Sequence, residues 1–398
     1  MAQSSPVVLR VLVPAPDAPP LTGIVEAFER QNPNIRIELV EGPNATNLVE
    51  DLYTSAFLLG DSPYDLINMD IVWTPKFAAA GWLMDLSDRV KPDELARFSP
   101  VDVEGGRYEG RLYRLPMRSD VGLLYYRKDL LEEAGFSPPE TFDDLMRISK
   151  ALQEQNKVPW GYVWQGRQYE GAVAMFVEVL KGYGGFWIDP KTEAIGLDRP
   201  EAIQAVNFLR NTITEGISPP GVTTYQEEDT RRFFQSGQAA FLRSWPYVWT
   251  LANDEESELR GKVGIQPMVH ASGQESGACL GGWGLGISKT TPHAKEAWKA
   301  MQFFTSVDPL RNFILKEGYT PSIREFFNDA EMVSRYSHFP QMQEVVNNAV
   351  LRPPIAQYAQ ASDILQRYLS AALTARISPE DAMQRAAGET RRLLGVKG

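Results

Sequence analysis

Five short passages combine the residue types that can hold a polyhydroxylated molecule: Met69-Asp70-Ile71-Val72-Trp73, Arg118-Ser119-Asp120, Ser244-Trp245-Pro246-Tyr247, Gly282-Trp283 and Arg352-Pro353-Pro354. Rings, charged groups and glycines recur together in them at expected element ends. The apolar C–H face of a pyranose stacks on Trp or Tyr, and its hydroxyl rim makes charge-assisted hydrogen bonds with carboxylates and guanidinium groups. The same residues have a plainer reading, because Trp and Tyr usually fill cores and an Asp after a strand often caps a helix.

Patterns for other chemistries are absent. No Gly-x-Ser-x-Gly elbow, His-Glu-x-x-His motif, Walker A loop or Gly-x-Gly-x-x-Gly fingerprint occurs. The Gly282-Trp283-Gly284-Leu285-Gly286 run has the wrong spacing for a phosphate loop and suits close backbone approach. His270, His293 and His338 sit in separate segments, and Cys279 is the single cysteine, so neither a disulfide nor a zinc cluster can be built. No metal and no cofactor is expected. A glycosidase needs only two carboxylates brought together by the fold, and 51 acidic residues leave that alternative open.

The elements that must position these groups belong to an α/β protein. With 398 residues, 43% hydrophobic and 23% charged, the chain is globular and long enough for two or three domains. Its net charge of −11, with scattered Lys and Arg, excludes a nucleic-acid partner or an anionic-membrane surface. Val7–Val13 reads as a buried strand ending at Pro14. A Pro-rich loop follows, then a helix with Leu21, Ile24, Val25 and Phe28 on one face, ended by Asn32-Pro33, and then the alternating strand Ile35–Val40. Tyr64–Asp70 reads as a buried strand ending in an acid, and Arg111–Leu115 begins a segment that runs on to Tyr126, with a crossover expected at Pro116.

Thr141-Phe142-Asp143-Asp144 predicts a capping box opening a helix. Asp198-Arg199-Pro200 opens another, carrying Ile203, Val206, Leu209 and Ile213 inward and stopping at Gly216. The Gly277–Ile287 passage reads as a strand or bend before a helix over Pro292–Thr305, and the tail from Ser362 is helical. No apolar run of membrane-spanning length is present, and Met1–Pro6 lacks the basic and apolar regions of an export signal. The expectation is therefore a cytoplasmic chain or a mature form whose export segment is gone.

Four passages together resemble the bacterial extracytoplasmic solute-binding proteins of sugar ABC importers, the group that includes maltose-binding and trehalose/maltose-binding proteins. They are Ile24-Val25-Glu26-Ala27-Phe28-Glu29-Arg30-Gln31-Asn32-Pro33-Asn34-Ile35-Arg36-Ile37-Glu38; Tyr64 to Trp73 followed by Phe77–Leu86; Leu115-Pro116 to Tyr125-Tyr126-Arg127-Lys128-Asp129-Leu130-Leu131-Glu132-Glu133-Ala134-Gly135; and Gly282-Trp283-Gly284-Leu285-Gly286-Ile287-Ser288. The match is in order and nearly full length.

The resemblance implies a two-lobed periplasmic-binding-protein fold of type II, each lobe a sheet flanked by helices with the ligand cleft between them. Lobe one would comprise 1–116 plus 285–320 and lobe two 117–284 plus 321–398, with hinges near Pro116, Gly282 and residue 320. Carried over by position, it places Asp17 or Ala18 of the first loop, Thr46, Asp70 after the third strand, and Asp120 just past the crossover at the sugar. Trp245 and Tyr247 would be cleft aromatics, Gly282 and Trp283 would meet the ligand with backbone and ring, and Arg352 would reach its hydroxyls. The Pro-rich first loop departs from the family's short Trp- or Gly-containing loop, which weakens Asp17 most. The implied function is the substrate-binding component of an importer, non-enzymatic and monomeric, closing on a small neutral glucoside or disaccharide such as trehalose, maltose, sucrose or glucosylglycerol. It would deliver that sugar to membrane permease subunits from the periplasm or the outer membrane face, free or lipid-anchored. The alternatives are a glycoside hydrolase and a receptor for a non-sugar solute such as a polyamine, the polyamine disfavoured because Arg352 would repel a polycation.

Overall fold

The computed structural model describes residues 5–396, which divide into two compact units. The first comprises the chain up to Asp120, Gly281–Asn347 and Pro354–Tyr358; the second comprises Val121–Leu280, Asn348–Pro353 and the chain from Ala359 onward. The passages at 120 and 281 each lie four residues from the expected 116 and 285. Pro116 is not the crossover: it sits near the start of the strand Leu115–Val121, where a proline is tolerated. The stretch 321–347, expected in lobe two, belongs to the first unit. Pro321 pairs with Arg118 in strand register, the Ser322 hydroxyl donates to Met117 O (3.0 Å), and Ser99 N donates to Ser322 O (2.8 Å).

In the first unit Val7–Pro14 pairs in parallel with Ile35–Gly42, and Leu9 and Val11 to Val13 are buried as the apolar run predicts. The Pro-rich stretch after it is not a loop. Ala15–Asp17 makes a 3-10 turn and the helix Ala18–Gln31 follows at once, because Pro19 and Pro20 fall in its first turn, where N–H groups have no intrahelical partner. Ile24, Val25 and Phe28 face inward, with Phe28 meeting Phe303 and Phe304 at 5.4 and 5.7 Å between ring centroids.

A four-stranded sheet carries the order Thr320–Pro321, Leu115–Val121, Leu280–Ile287, Leu66–Asp70. Trp283 stands opposite Asp70 and Ile287 opposite Leu66. The alternating glycines are there for close approach: a Cβ on Gly284 would lie 2.3 Å from Leu115 O, and one on Gly286 2.7 Å from Met69 Sδ. Gly284→Ala is therefore expected to destabilise the protein by about 1–3 kcal/mol through overpacking. Urea unfolding checks this, and an unchanged midpoint would show that the strands yield without cost.

The second unit is built on the order Val263–Gln266, Leu123–Arg127, Ala239–Ser244, Trp160–Val163, whose pairs are antiparallel except the last. The expected capping box forms: Thr141 Oγ1 accepts from Asp144 N (3.1 Å) and Asp144 Oδ2 accepts from Thr141 N (3.3 Å), opening Phe142–Glu154. In the helix Pro200–Thr214, Val206 and Leu209 are buried as expected, whereas Ile203 and Ile213 are only half-buried and Ala202, Ala205 and Phe208 share the core face. The helix Glu170–Gly182 carries no amphipathic signal, because every residue except Lys181 is buried. The tail forms the helices Tyr358–Leu373 and Pro379–Leu394. Among the described residues no helix is long and apolar enough to cross a membrane.

Candidate functional site

Arg118 and Asp120 are two residues apart on the strand Leu115–Val121, so the pleat puts both on one face. Arg118 Nη2 donates to Asp17 Oδ1 (3.1 Å) and Oδ2 (3.3 Å), and its Nε stands 3.2 Å from Asp120 Oδ2. The guanidinium lies 4.0 Å from the Tyr319 ring centroid and 5.9 Å from that of Trp283. Gly282 permits this neighbourhood. Its φ is 129°, and a Cβ there would sit 2.8 Å from Arg118 O. Asp70 ends its strand beside Trp283, is 6% exposed, and accepts from Val72 N at 3.4 Å. Trp73 packs at 5.5 Å against Trp283 and is otherwise core, as its 1% exposure shows.

Burial sets the electrostatics of this cluster. It pushes the Asp120 carboxyl up to about 7, against the pull of Arg118 and with Asp17 and Asp70 adding to the rise. Burial works against the charge of Arg118, but Asp17, Tyr319 and Asp120 outweigh it and hold the guanidinium above its ordinary value. Nearby, burial pushes Asp102 up to about 7 and draws Arg114 down to about 10, each opposing the other's shift. Thr46 is the first residue of the helix Thr46–Leu58, and its buried hydroxyl has no hydrogen-bond partner among the described residues.

The second unit holds its own cluster. Trp245, just past the strand Ala239–Ser244, is half-buried; its Nε1 donates to Glu227 Oε1 (3.4 Å), and the Arg243 guanidinium lies 4.1 Å from its ring centroid. Tyr169 OH donates to the other oxygen of Glu227 at 2.6 Å. Tyr247 OH donates to Glu228 Oε1 (2.8 Å), and Arg231 Nη2 donates to Glu228 Oε2 (2.6 Å). Burial opposes the Glu228 charge, but Arg231 and the Tyr247 hydroxyl prevail and hold the carboxyl below its ordinary range. The aromatic edges are thus pinned by carboxylates, which leaves ring faces fixed in orientation.

Asp17, Asp70, Asp120, Gly282 and Trp283 come together in the first unit, and Trp245 and Tyr247 in the second. Among the described residues the Thr46 hydroxyl makes no hydrogen bond to either cluster. Arg352 is placed differently from the expectation: it is 4% exposed, and its Nη1 donates to the buried Glu170 Oε1 at 2.7 Å. Its charge is matched internally, so it gives no argument against a polycation. Sequence reasoning noticed Arg118 beside Asp120 but gave it no role, although the i, i+2 alternation was the available signal. It missed Tyr319, which has no local signature, and Glu227 and Glu228, which read as ordinary first-turn acids of the helix Glu227–Gln235. Among the described residues no group of His, Cys, Asp and Glu could hold a metal ion.

Residues 15–309 match the family described as bacterial extracellular solute-binding protein. The chain belongs to that family. This solute-binding protein is 36% identical to a solved structure titled maltose-bound T. maritima MalE3, covering 97% of this chain and 100% of that one with a TM-score of 0.93. The fold is accordingly that of the type II periplasmic binding proteins. It is 30% identical over 367 residues to a Deinococcus radiodurans protein named "Probable ABC transporter-binding protein", covering 90% of this chain and 87% of the relative. A maltotriose-binding protein of Pyrococcus abyssi is 27% identical over 312 residues, covering 78% of this chain and 64% of that relative. The matched family is one of solute-binding proteins.

Proposed function

We propose that this solute-binding protein captures a small neutral glucoside for an ABC importer outside the cytoplasmic membrane, with maltose the first candidate and trehalose, sucrose and glucosylglycerol the others. The observation that carries the reading is the Asp17–Arg118–Asp120 group lying against the rings of Trp283 and Tyr319. Fixed acceptors and a fixed donor beside aromatic faces are what a ring with an apolar face and a hydroxyl rim requires. The likeness to a maltose-bound structure supports the sugar class. Asp70 and Asp120 accept from hydroxyls, Arg118 donates, and Trp283, Trp245 and Tyr247 stack. A ligand that engages both units favours the arrangement in which both are within its reach, so binding shifts a hinge equilibrium at the crossing segments. The permease reads the ligand-bound form, and the protein works as a monomer.

A thermal-shift screen against maltose, trehalose, sucrose, glucosylglycerol and spermidine tests this, since a ligand that binds only the native state raises Tm by mass action. A shift with a glucoside recovered intact is expected. A shift with spermidine alone, or a sugar recovered as fragments, overturns the reading in favour of a polyamine receptor or a hydrolase.

Binding should also depend on pH through Asp120. The ionised carboxylate accepts the hydroxyl, and a proton competes for the same oxygens around pH 7. Maltose affinity is expected to fall about tenfold between about pH 8 and pH 6. In Asp120→Asn, affinity should be weak and flat over that range, as calorimetric titration at several pH values would show. Folding responds in the opposite sense: with its value raised from 3.8 to about 7, Asp120 stabilises the native state at low pH and loses that contribution as pH rises through 7.

A further inference from the structure

The helix Glu170–Gly182 takes two carboxylates into the interior of the second unit, and each holds an arginine. Glu178 takes Arg243 through two hydrogen bonds, Nε to Oε2 at 2.7 Å and Nη2 to Oε1 at 2.5 Å, with both side chains fully buried. The same Oε1 accepts from Cys279 N at 3.2 Å, and a Cβ built on Gly122 would fall 1.5 Å from it. Gly122 N donates to Cys279 O (3.4 Å), and Leu280 N donates to Val350 O (2.9 Å). Gly122, Cys279 and Val350 lie on three of the segments where the chain leaves or enters the second unit. One carboxylate therefore bonds the crossing backbone at Cys279 and packs against Gly122. On its other side, the guanidinium it holds lies against the ring of Trp245. Gln165 completes the fit, accepting from Arg243 Nη1 (3.1 Å) and donating to Arg243 O (3.0 Å).

We propose that Arg243 and Glu178 are positioning residues that couple the seating of the Trp245 ring to the backbone of the crossing segments at Gly122 and Cys279. The inference rests on the reading of Trp245 as a ligand-stacking ring. A ring held by a sugar immobilises the guanidinium above Glu178. The guanidinium then fixes both carboxylate oxygens, and one of these fixes the Cys279 amide. Ligand contact at the ring is thereby felt where the chain passes between units, with no ligand atom near that point. Neither arginine nor glutamate need touch the sugar.

Cys279 reports on this link without an engineered cysteine. It is the only cysteine in the chain and is fully buried, so its reaction with a small disulfide reagent measures local opening at the crossing. In the full chain without ligand, Trp245→Ala is expected to raise the labelling rate about tenfold, with Arg243→Lys close behind although the ring remains. Trp245→Phe, which keeps a ring over the guanidinium, should return most of the protection. Saturating maltose should slow labelling of the wild type and leave Arg243→Lys unaffected. Wild-type labelling in Trp245→Ala overturns the coupling, as does faster labelling that Trp245→Phe shares in full and that tracks the loss of Tm. Faster labelling in Trp245→Ala, rescued by Trp245→Phe, in a protein whose wild type is indifferent to maltose supports the coupling and counts against maltose instead.

Discussion

Arg118→Ala is expected to lower stability by about 3–5 kcal/mol and to remove measurable binding of the sugar, because it leaves two buried carboxylates without their counter-charge. Arg118 is paired to Asp17 and stands 3.2 Å from Asp120 with side-chain exposures of 10 to 13% throughout, so little solvent is present to screen the loss. Two rings also lose their cation. Arg118→Lys keeps the charge but cannot serve both acids from one planar fork, and it should recover stability better than affinity. Urea unfolding and calorimetric titration with maltose separate the two effects. A folded Arg118→Ala protein with wild-type affinity would take Arg118 out of the site and leave it a structural residue.

The second large effect concerns the buried pair of the second unit. Arg243→Met should cost about 3–5 kcal/mol, since Glu178 is then an uncompensated charge in a fully buried position. Adding Glu178→Met to that variant should restore most of the loss, because two apolar side chains of similar size need no counter-charge. The measurement is a double-mutant cycle in urea. Additive losses in the double variant would mean that the carboxylate is stabilised by Cys279 N and its other neighbours rather than by Arg243.

The sequence made the periodic elements legible and left the irregular ones hidden. The strand Val7–Pro14, the helix face of Ile24, Val25 and Phe28, and the Thr141 cap were readable because each follows from a local rule of burial or hydrogen bonding. The glycines of the strand Leu280–Ile287 were read rightly as close-approach positions. The Pro-rich stretch misled, since prolines in a first helical turn resemble prolines in a loop. The helix Glu170–Gly182 escaped notice because burial on all sides erases the period.

Long-range pairings were out of reach. Nothing local says that Arg352 meets Glu170 across 182 residues, or that Tyr319 comes to lie on Arg118. The acids and rings of the candidate site were legible as types, while the arginine that organises them was visible only as a neighbour. The allocation of 321–347 depended on the Ser322 contacts with Ser99 and Met117, which no spacing announces.

The order of strands in the four-stranded sheet has a consequence for how the chain comes off the ribosome. Leu280–Ile287 lies between Leu115–Val121 and Leu66–Asp70, so those two earlier strands wait for about 160 residues of intervening chain before the strand that joins them exists. The second unit's sheet is complete by Gln266. A nascent chain stalled near residue 270 therefore holds all four strands of the later unit's sheet and, from the earlier unit's four-stranded sheet, two strands that are buried throughout in the folded protein and here have open edges. Such edges are templates for pairing with another chain. Premature termination in that window should yield aggregates, not a half-size receptor.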